Sequence, residues 1–466
     1  MKSPLLLALV LTLAMDASAV EWHTIGARAI GMGGAGVATA QGPLAEYWNP
    51  AALGRQVGNA YGLQVPVGVH AAVLGDVVEG ARDLRALRDK GATATQADID
   101  AALTKLNHPG NGLRIGGDFG ADTKIGDFAV FLNGYADVGA VPSADLNPAR
   151  TTPAAIAAGT NNSKLIVKGA NVGELGVGYG HELPFAPGLS LGGNLKLMSA
   201  TVGYADYFIL RESNNDNDIV RTLKNGARKS ANVGVDLGLL WDLDKSFDGV
   251  ALKPRIGVTG RNLNNPKFKQ PDAAITAGAT DKFALNPQVR LGVSLQPFHW
   301  WNLAADLDLT RNLTPIDNAA SRQLGLGSEF NVFNRSWINI PLRVGLARNL
   351  ENAASGTMLT AGAGLHFLHV FIDASAGVSN KRVQTQSQGK DQKTPREAMV
   401  GFQLSLLFGG TDEPEAPSRQ WKSGPSDGQP VPTERVRESS EKAHEDLKVE
   451  EVKHAEPEVK PSTTKP

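Results

Sequence analysis

The sequence predicts an all-β chain, an antiparallel transmembrane β-barrel of about 14 strands with an N-terminal luminal hatch and a helical insertion in the first external loop. Three observations predict it. Segment after segment carries apolar residues at every second position, with polar residues or glycine between them. The connections between these segments alternate between long and short. A Gly- and Ala-rich stretch, Gly26 to Leu53, precedes the first strand and has the composition of something packed inside a larger body.

Composition narrows the class. The 466 residues hold 46 basic and 47 acidic side chains, a balance that leaves no electrostatic footprint for nucleic acid. There is no cysteine, so neither a disulfide framework nor thiol chemistry is available. Residues 1–19 read as a signal peptide, with Lys2, the apolar run Leu5 to Ala14 and the small residues Ala17-Ser18-Ala19. Beyond them no apolar run of about 20 residues occurs, so no helical membrane span is expected. The expected organisation is a hatch over 20–57, a barrel over 58–410 and a disordered periplasmic tail over 411–466. That tail holds eight prolines and one aromatic residue, Trp421, too little apolar surface to offset chain entropy. Its mixed-charge stretch from Glu441 to Lys453 is expected to be a solvated tail, the alternative being contact with a periplasmic partner or peptidoglycan.

The first strand runs from Tyr61 to Val69, with Tyr61, Leu63, Val65, Val67 and Val69 on one face. Between Gly75 and Asn107, Val77, Leu84, Leu87, Ile99, Leu103 and Leu106 fall at helical spacings, and Thr95 with Asp98 resembles a capping box. Further on, Val233, Val235, Leu237, Leu239 and Trp241 alternate with Asn232, Gly234, Asp236 and Gly238. Leu285, Val289, Leu291, Val293 and Leu295 form another such face, and Trp301, Leu303, Ala305 and Leu307 alternate with Asn302, Asp306 and Asp308. A soluble sandwich alternates in the same way. Strands of about 10 to 15 residues, an even strand count and the loop rhythm favour the membrane barrel, with its apolar face toward lipid and its polar face toward a wet lumen. Tight turns are expected near Asp122, Pro184 to Pro187, Asp244 to Asp248, Pro297, Phe333 and His369. The inward faces then carry Lys196, Asp236, Arg290, Asp306, Asp308, Arg343 and Asp373.

The run Gly31-Met32-Gly33-Gly34-Ala35-Gly36 matches the GxGxxG pattern of dinucleotide sites, but it lacks the preceding buried strand, and Pro43 breaks the helix that such a site would need after it. His181, His299, His366 and His369 are scattered without the i, i+4 pairing of a zinc site, and no GxSxG elbow exists. Asp306 and Asp308 share one strand face and are expected to bind arginine across the barrel rather than act as an acid pair. No catalytic residue, metal site or cofactor is therefore expected.

Gly26-Ala27-Arg28, Gly31-Met32-Gly33-Gly34-Ala35 and Tyr47-Trp48-Asn49-Pro50-Ala51-Ala52-Leu53 resemble the N-terminal motif of the FadL-like outer-membrane barrels, and within that superfamily the early helical insertion and the Val65-Pro66-Val67-Gly68-Val69 strand resemble the branch labelled conjugal transfer TraF-like. The resemblance implies a 14-strand barrel in the outer membrane of a Gram-negative bacterium, its lumen closed by a hatch at Gly26, Arg28, Gly31, Met32, Gly33, Gly34, Asn49, Pro50 and Ala51. In the transporters of that superfamily the hatch moves when a hydrophobic ligand binds. The final strand, with Gly401, Leu404, Leu406 and Phe408, is similar to the C-terminal signal that barrel-assembly machinery recognises. Two functions are expected from this: a plugged channel for small hydrophobic or amphipathic molecules, or an accessory barrel of a conjugation or secretion system with no transport of its own.

Overall fold

The computed structural model describes residues 21–55, 60–210, 216–316, 319–335, 337–352, 355–387 and 390–409. The signal peptide and the tail expected at the two ends lie outside these residues. Fourteen strands close into one antiparallel barrel, as the alternation predicts. They are β1 (Tyr61–Leu74), β2 (Gly112–Ile125), β3 (Phe128–Ser143), β4 (Lys164–Glu182), β5 (Leu189–Phe208), β6 (Arg228–Asp242) and β7 (Arg255–Arg261). The barrel continues through β8 (Gln288–Phe298), β9 (Trp301–Asp308), β10 (Gln323–Arg335), β11 (Ile338–Asn349), β12 (Thr357–Phe367), β13 (Val370–Ser379) and β14 (Glu397–Phe408). Each pairs with its sequence neighbour, and β1 pairs with β14 from Tyr61 opposite Phe408 to Ala72 opposite Glu397. Closure leaves the barrel no free edge.

The outer surface carries the apolar residues. Phe119, Leu132, Leu195, Leu237, Val344 and Phe402 all stand exposed on it, while their strand neighbours Asp118, Asn133, Asn194, Asp236, Arg343 and Gln403 are buried inside. Exposed leucine and phenylalanine on this scale would be an aggregation surface in water and is the ordinary face of a barrel in lipid. Aromatic rings ring the end where the short turns lie: Phe298 stacks on Trp300 at 5.3 Å, Trp301 on Phe330 at 5.8 Å, and Phe128 lies 4.7 Å from Tyr179. This is the girdle expected at a membrane interface.

Toward the opposite, long-loop end the two faces exchange roles. On β4 and β5 the outward positions become Asn171, Gly173, Ser199 and Thr201, whereas Val172, Met198, Ala200 and Val202 turn inward. There they pack with Tyr135 and with Phe268, Phe283 and Leu285, brought in by the connection between β7 and β8. Lipid therefore ends within these two strands, and beyond it the apolar side must look inward to escape water. The loop end is roofed by helices. Val77–Lys90 and Gln96–Leu106 pack through Leu84, Leu87, Ile99, Leu103 and Leu106 against Ile156, Ile209 and Leu210 of neighbouring connections. Thr95 caps the second of these helices by accepting from the Asp98 amide at 3.2 Å.

Some boundaries differ from the expectation. Strand lengths span 7 residues in β7 to 20 in β5, because β4 and β5 run beyond the lipid. Asp122 lies inside β2 rather than at a turn, and the chain reverses at Gly126, whose φ of 60° serves the reversal. Phe333 also lies within a strand, β10, and the turn after Pro297 falls beyond Phe298. The connection over 243–254 is longer than the one over 350–356, so the long-short alternation is not strict. Leu285 does not share the outward face of Val289, Leu291 and Val293; it precedes β8 and is buried in the inner cluster.

Candidate functional site: the occupied lumen

Residues 21–55 lie inside the barrel, and nearly all are buried. Their helices are α1 (Ala27–Gly31) and α2 (Ala45–Trp48), with a single 3-10 turn, Pro50–Gly54, after them. Gly33 holds φ at +67°, and a Cβ on it would lie 2.4 Å from the Leu346 carbonyl oxygen and 2.6 Å from that of Leu326. The wall answers with its own glycines: a Cβ on Gly327 would meet the Met32 oxygen at 2.5 Å, and one on Gly345 the Gly33 nitrogen at 2.3 Å. Segment and wall thus touch backbone to backbone, which side chains on either would prevent.

The Asn49-Pro50-Ala51 element forms the second such contact. Asn49 Oδ1 accepts from the Ala51 amide at 3.1 Å and so caps the turn, while Pro50 occupies its first position, where no amide is needed. The side-chain amide of Asn49 donates to the Leu239 carbonyl of β6 at 3.0 Å. Pro50 and Ala51 rest on Gly180, Gly192 and Gly238, and a Cβ on Gly192 would lie 2.4 Å from Pro50.

Charged contacts complete the attachment. Arg28 on α1 donates to Glu329 through Nε at 2.9 Å and through Nη2 at 2.8 Å. Glu329 also accepts from Arg343 at 2.7 Å, Arg343 donates to Asp373 at 2.6 Å, and His366 stands 3.1 Å from Asp373. On the far side Arg114 joins Glu21 and Asp137, each at 2.6 Å. Asp306 departs from the arginine role expected of it. Its Oδ2 accepts the amides of Gly36 and Val37 at 2.8 and 2.9 Å, whereas Asp308 does take Arg290 at 2.5 Å. Smaller donors hold the rest: Thr360 Oγ1 donates to the Gly31 carbonyl at 3.1 Å and Ser375 Oγ to that of Ala27 at 2.6 Å.

An aromatic core sits at the middle. Trp22, Tyr47 and Trp48 pack on one another, with the Arg290 guanidinium 4.6 Å from the Trp22 ring and that of Arg261 3.9 Å from the Tyr47 ring. Such desolvated cation–π contacts hold arginine where water is excluded. His23, 4.9 Å from the Tyr135 ring, is buried here; that burial, with Arg114 nearby, pulls its imidazole down to about 3. It is neutral at physiological pH.

Two cavities flank the segment. On the loop side a space of about 90 Å³ lies among Glu21, His23, His70, Arg114, Asp306 and Glu397. On the turn side an open vestibule of about 460 Å³ is lined by Arg28, Gln64, Arg255, Glu329, Arg343 and Asp373, together with Trp48, Trp337 and Phe371. Both linings mix charge with aromatic surface. Among the described residues no group of three or more His, Cys, Asp or Glu is arranged to hold a metal.

Of the residues singled out in sequence, Gly26, Arg28, Gly31, Met32, Gly33, Gly34, Asn49, Pro50 and Ala51 all lie in this luminal segment. Gly401, Leu404, Leu406 and Phe408 lie apart from them in β14. Gly401 faces inward, where a Cβ would lie 2.3 Å from Ile30 Cδ1, while Leu404 and Phe408 face outward. Sequence reasoning missed Gln64, Asn133, Asn194, Glu329, Thr360 and Ser375 as anchors of the segment. Their only local signal is a polar residue at an inward position.

Fold and site together define a membrane-spanning β-barrel whose lumen is filled by the chain's own N-terminal segment. The chain belongs to the family described as F plasmid transfer operon, TraF, protein, whose model matches residues 46–308. No curated protein matches it. Among solved structures it is similar to the toluene transporter TodX of P. putida, at 13% identity and a TM-score of 0.44, covering 85% of this chain and all of that one. It is also similar to a Pseudomonas aeruginosa FadL homologue, at 13% identity and a TM-score of 0.44, covering 84% of this chain and all of that one. The barrel itself rests on its strand pairing rather than on these superpositions.

Proposed function

We propose that this protein is a plugged outer-membrane channel for small amphipathic molecules, with residues 21–55 as the element that must shift for passage. The observation that carries the reading is the pair of cavities on opposite sides of one segment, whose described contacts with the wall are hydrogen bonds, ion pairs and packing. A purely hydrocarbon cargo fits poorly with arginine and carboxylate linings, since an apolar molecule would have to desolvate them. Molecules with one polar and one apolar end match both surfaces.

A reversible lock tests this. A Cβ on Gly31 would lie 2.9 Å from Ser375 Oγ, which places a Gly31→Cys/Ser375→Cys pair within the Cβ···Cβ range of about 3.5–4.5 Å that a disulfide requires. The chain has no other cysteine. In proteoliposomes, uptake of radiolabelled fatty acids or aromatic acids is expected to stop in the oxidised pair and return on reduction. Equal flux in both states, or flux no greater than that of empty vesicles, overturns the proposal.

The family description favours a second reading, an accessory barrel of a DNA-transfer system without transport of its own. That reading expects no flux in either redox state, together with reduced conjugation from donor cells lacking the protein.

A further inference from the structure

On the outer wall, away from the lumen, β8 to β12 share a groove of about 610 Å³. Val293, Leu303, Leu326, Val344, Leu346 and Leu359 line it from the lipid face, and no charged side chain borders it. Two small residues, Ala305 and Ser328, stand between the leucines and leave the room. At the long-loop end the same strands turn from apolar to basic. Past β9 the outward row runs from Leu307 and Leu309 to Arg311, before β10 from Leu326 and Leu324 to Arg322, and on β11 from Val344 and Leu346 to Arg348. On β4 and β5 the corresponding row ends in Asn171 and Thr201. Arg396, in the same place before β14, is taken up by Asp76 at 3.5 Å and by the Gly75 carbonyl at 2.8 Å.

The three arginines stand together. Leu324 lies opposite Arg348 on the β10–β11 ladder, and the Leu350 amide donates to the Arg322 carbonyl at 2.9 Å. Arg322 is therefore the diagonal neighbour of Arg348, about 7–8 Å away and within reach of side chains this long. Arg311 and Arg322 both turn toward Glu351, Nε to Oε2 at 3.4 Å and Nη1 to Oε1 at 3.7 Å. These are long contacts between side chains 56% and 43% exposed, and such pairs hold weakly. Arg348 is exposed and forms no ion pair with another described residue. Among the described residues, three guanidinium groups thus share one carboxylate, and two positive charges are left over.

Groove and charge fit the two halves of one molecule. The arginines sit where hydrocarbon gives way to headgroups, and the long loops put that end of the barrel outside. A guanidinium fork matches phosphate geometry and gives up its water more readily than an ammonium does. An acyl chain below it finds an apolar trough instead of a convex wall, which adds buried area on both sides. We infer that the outer wall of β8 to β12 holds a phosphate-bearing lipid of the outer leaflet, its phosphate on Arg322, Arg348 and Arg311 and an acyl chain in the groove. Because the arginine row is confined to neighbouring strands, the lipid is held at one side of the barrel. The site stands or falls independently of whether the barrel conducts.

Native mass spectrometry of the full chain, folded in detergent and titrated with diphosphorylated lipid A, tests it. A saturable one-to-one complex is expected, weakened roughly 30-fold when Arg322→Gln and Arg348→Gln are combined, since each cation near an anionic headgroup contributes a few-fold. Ala305→Phe, which fills the groove, should also weaken it. Glu351→Gln removes the competing carboxylate and should tighten binding about fivefold, a gain that misfolding cannot produce. Lys229→Gln, on the outward face of β6 opposite Thr201, should change nothing. Equal affinity in the double arginine variant or in Ala305→Phe overturns the inference, as does equal binding of dephosphorylated lipid A. Displacement of lipid A by inorganic phosphate would mark a site for the free ion and overturns it too.

Discussion

Replacing Glu329 by glutamine should loosen the luminal segment without opening the barrel. In the native protein the Glu329 carboxylate takes two hydrogen bonds from Arg28 and one from Arg343. Arg343 keeps Asp373 at 2.6 Å, so the loss falls on Arg28, whose remaining contact is the Thr39 carbonyl within its own segment. Removing one partner of a buried pair costs about 3–5 kcal/mol. The Arg28 side chain is 21% exposed, so water screens part of the loss and the low end, about 3 kcal/mol, applies. At about 1.4 kcal/mol per tenfold, that raises the population of the detached segment by roughly 100-fold. The absence of native cysteine allows a clean readout: Ala38→Cys places a thiol at a buried site of the segment. Its maleimide labelling, run where closing outpaces reaction, tracks the open population. Labelling is expected to accelerate by the same factor, roughly 100-fold, in the Glu329→Gln background. The half-exposed Arg311–Glu351 pair serves as control, and Glu351→Gln should change nothing. Labelling within threefold of the parent in Glu329→Gln would refute the idea that this ion pair holds the segment.

The same contacts support further expectations. Gly33→Ala drives a methyl into the Leu346 and Leu326 carbonyls, so the barrel should still form while residues 21–55 become sensitive to protease. Leu195→Lys puts a charge on the lipid face and should destabilise folding into vesicles by about 2–4 kcal/mol if it sits near the midplane, read as a shift in the urea midpoint. The unboiled protein should migrate compactly on a gel and shift on boiling; identical migration would contradict a membrane barrel. In the connection after β3, burial pushes the Asp145 carboxyl up, but the amides of Asn162 and Asn147 and the Arg150 guanidinium outweigh it and hold it below 3.8. A carboxyl lowered on folding stabilises above its unfolded value and loses that contribution as pH falls through the folded one. Protease resistance of residues 144–163 should therefore weaken at neutral pH in Asp145→Asn, and in the parent only in strong acid.

Much of the architecture was legible because strand alternation is a local property. Val400, Phe402 and Leu404 against Gly401, Gln403 and Ser405 declare two faces with no knowledge of any partner, and the same holds for β6 and β13. The Asn49-Pro50-Ala51 turn of the luminal segment also stood out, since its cap is written within three residues, whereas the room that Gly31 and Gly33 leave is taken up by distant wall residues such as Ser375 and Leu346. Where local pattern was weak, the expectation slipped: Asp122 looked like a turn residue, and Leu285 looked like part of the β8 face.

What alternation cannot express is which distant groups meet. Arg28 and Glu329 lie 301 residues apart, and Gly36 and Asp306 270 apart, so no window on the chain connects them. Nor does period two say where lipid ends: the pleat sends Val172 and Leu175 to opposite faces, but only the barrel shows that one apolar side chain lies inside and the other meets lipid. Strand identity and facing came from the residue order, since a pleated chain must send neighbours to opposite sides. Barrel closure alone set the partners within the lumen, because pairing all fourteen strands brings residues from every part of the chain around one axis.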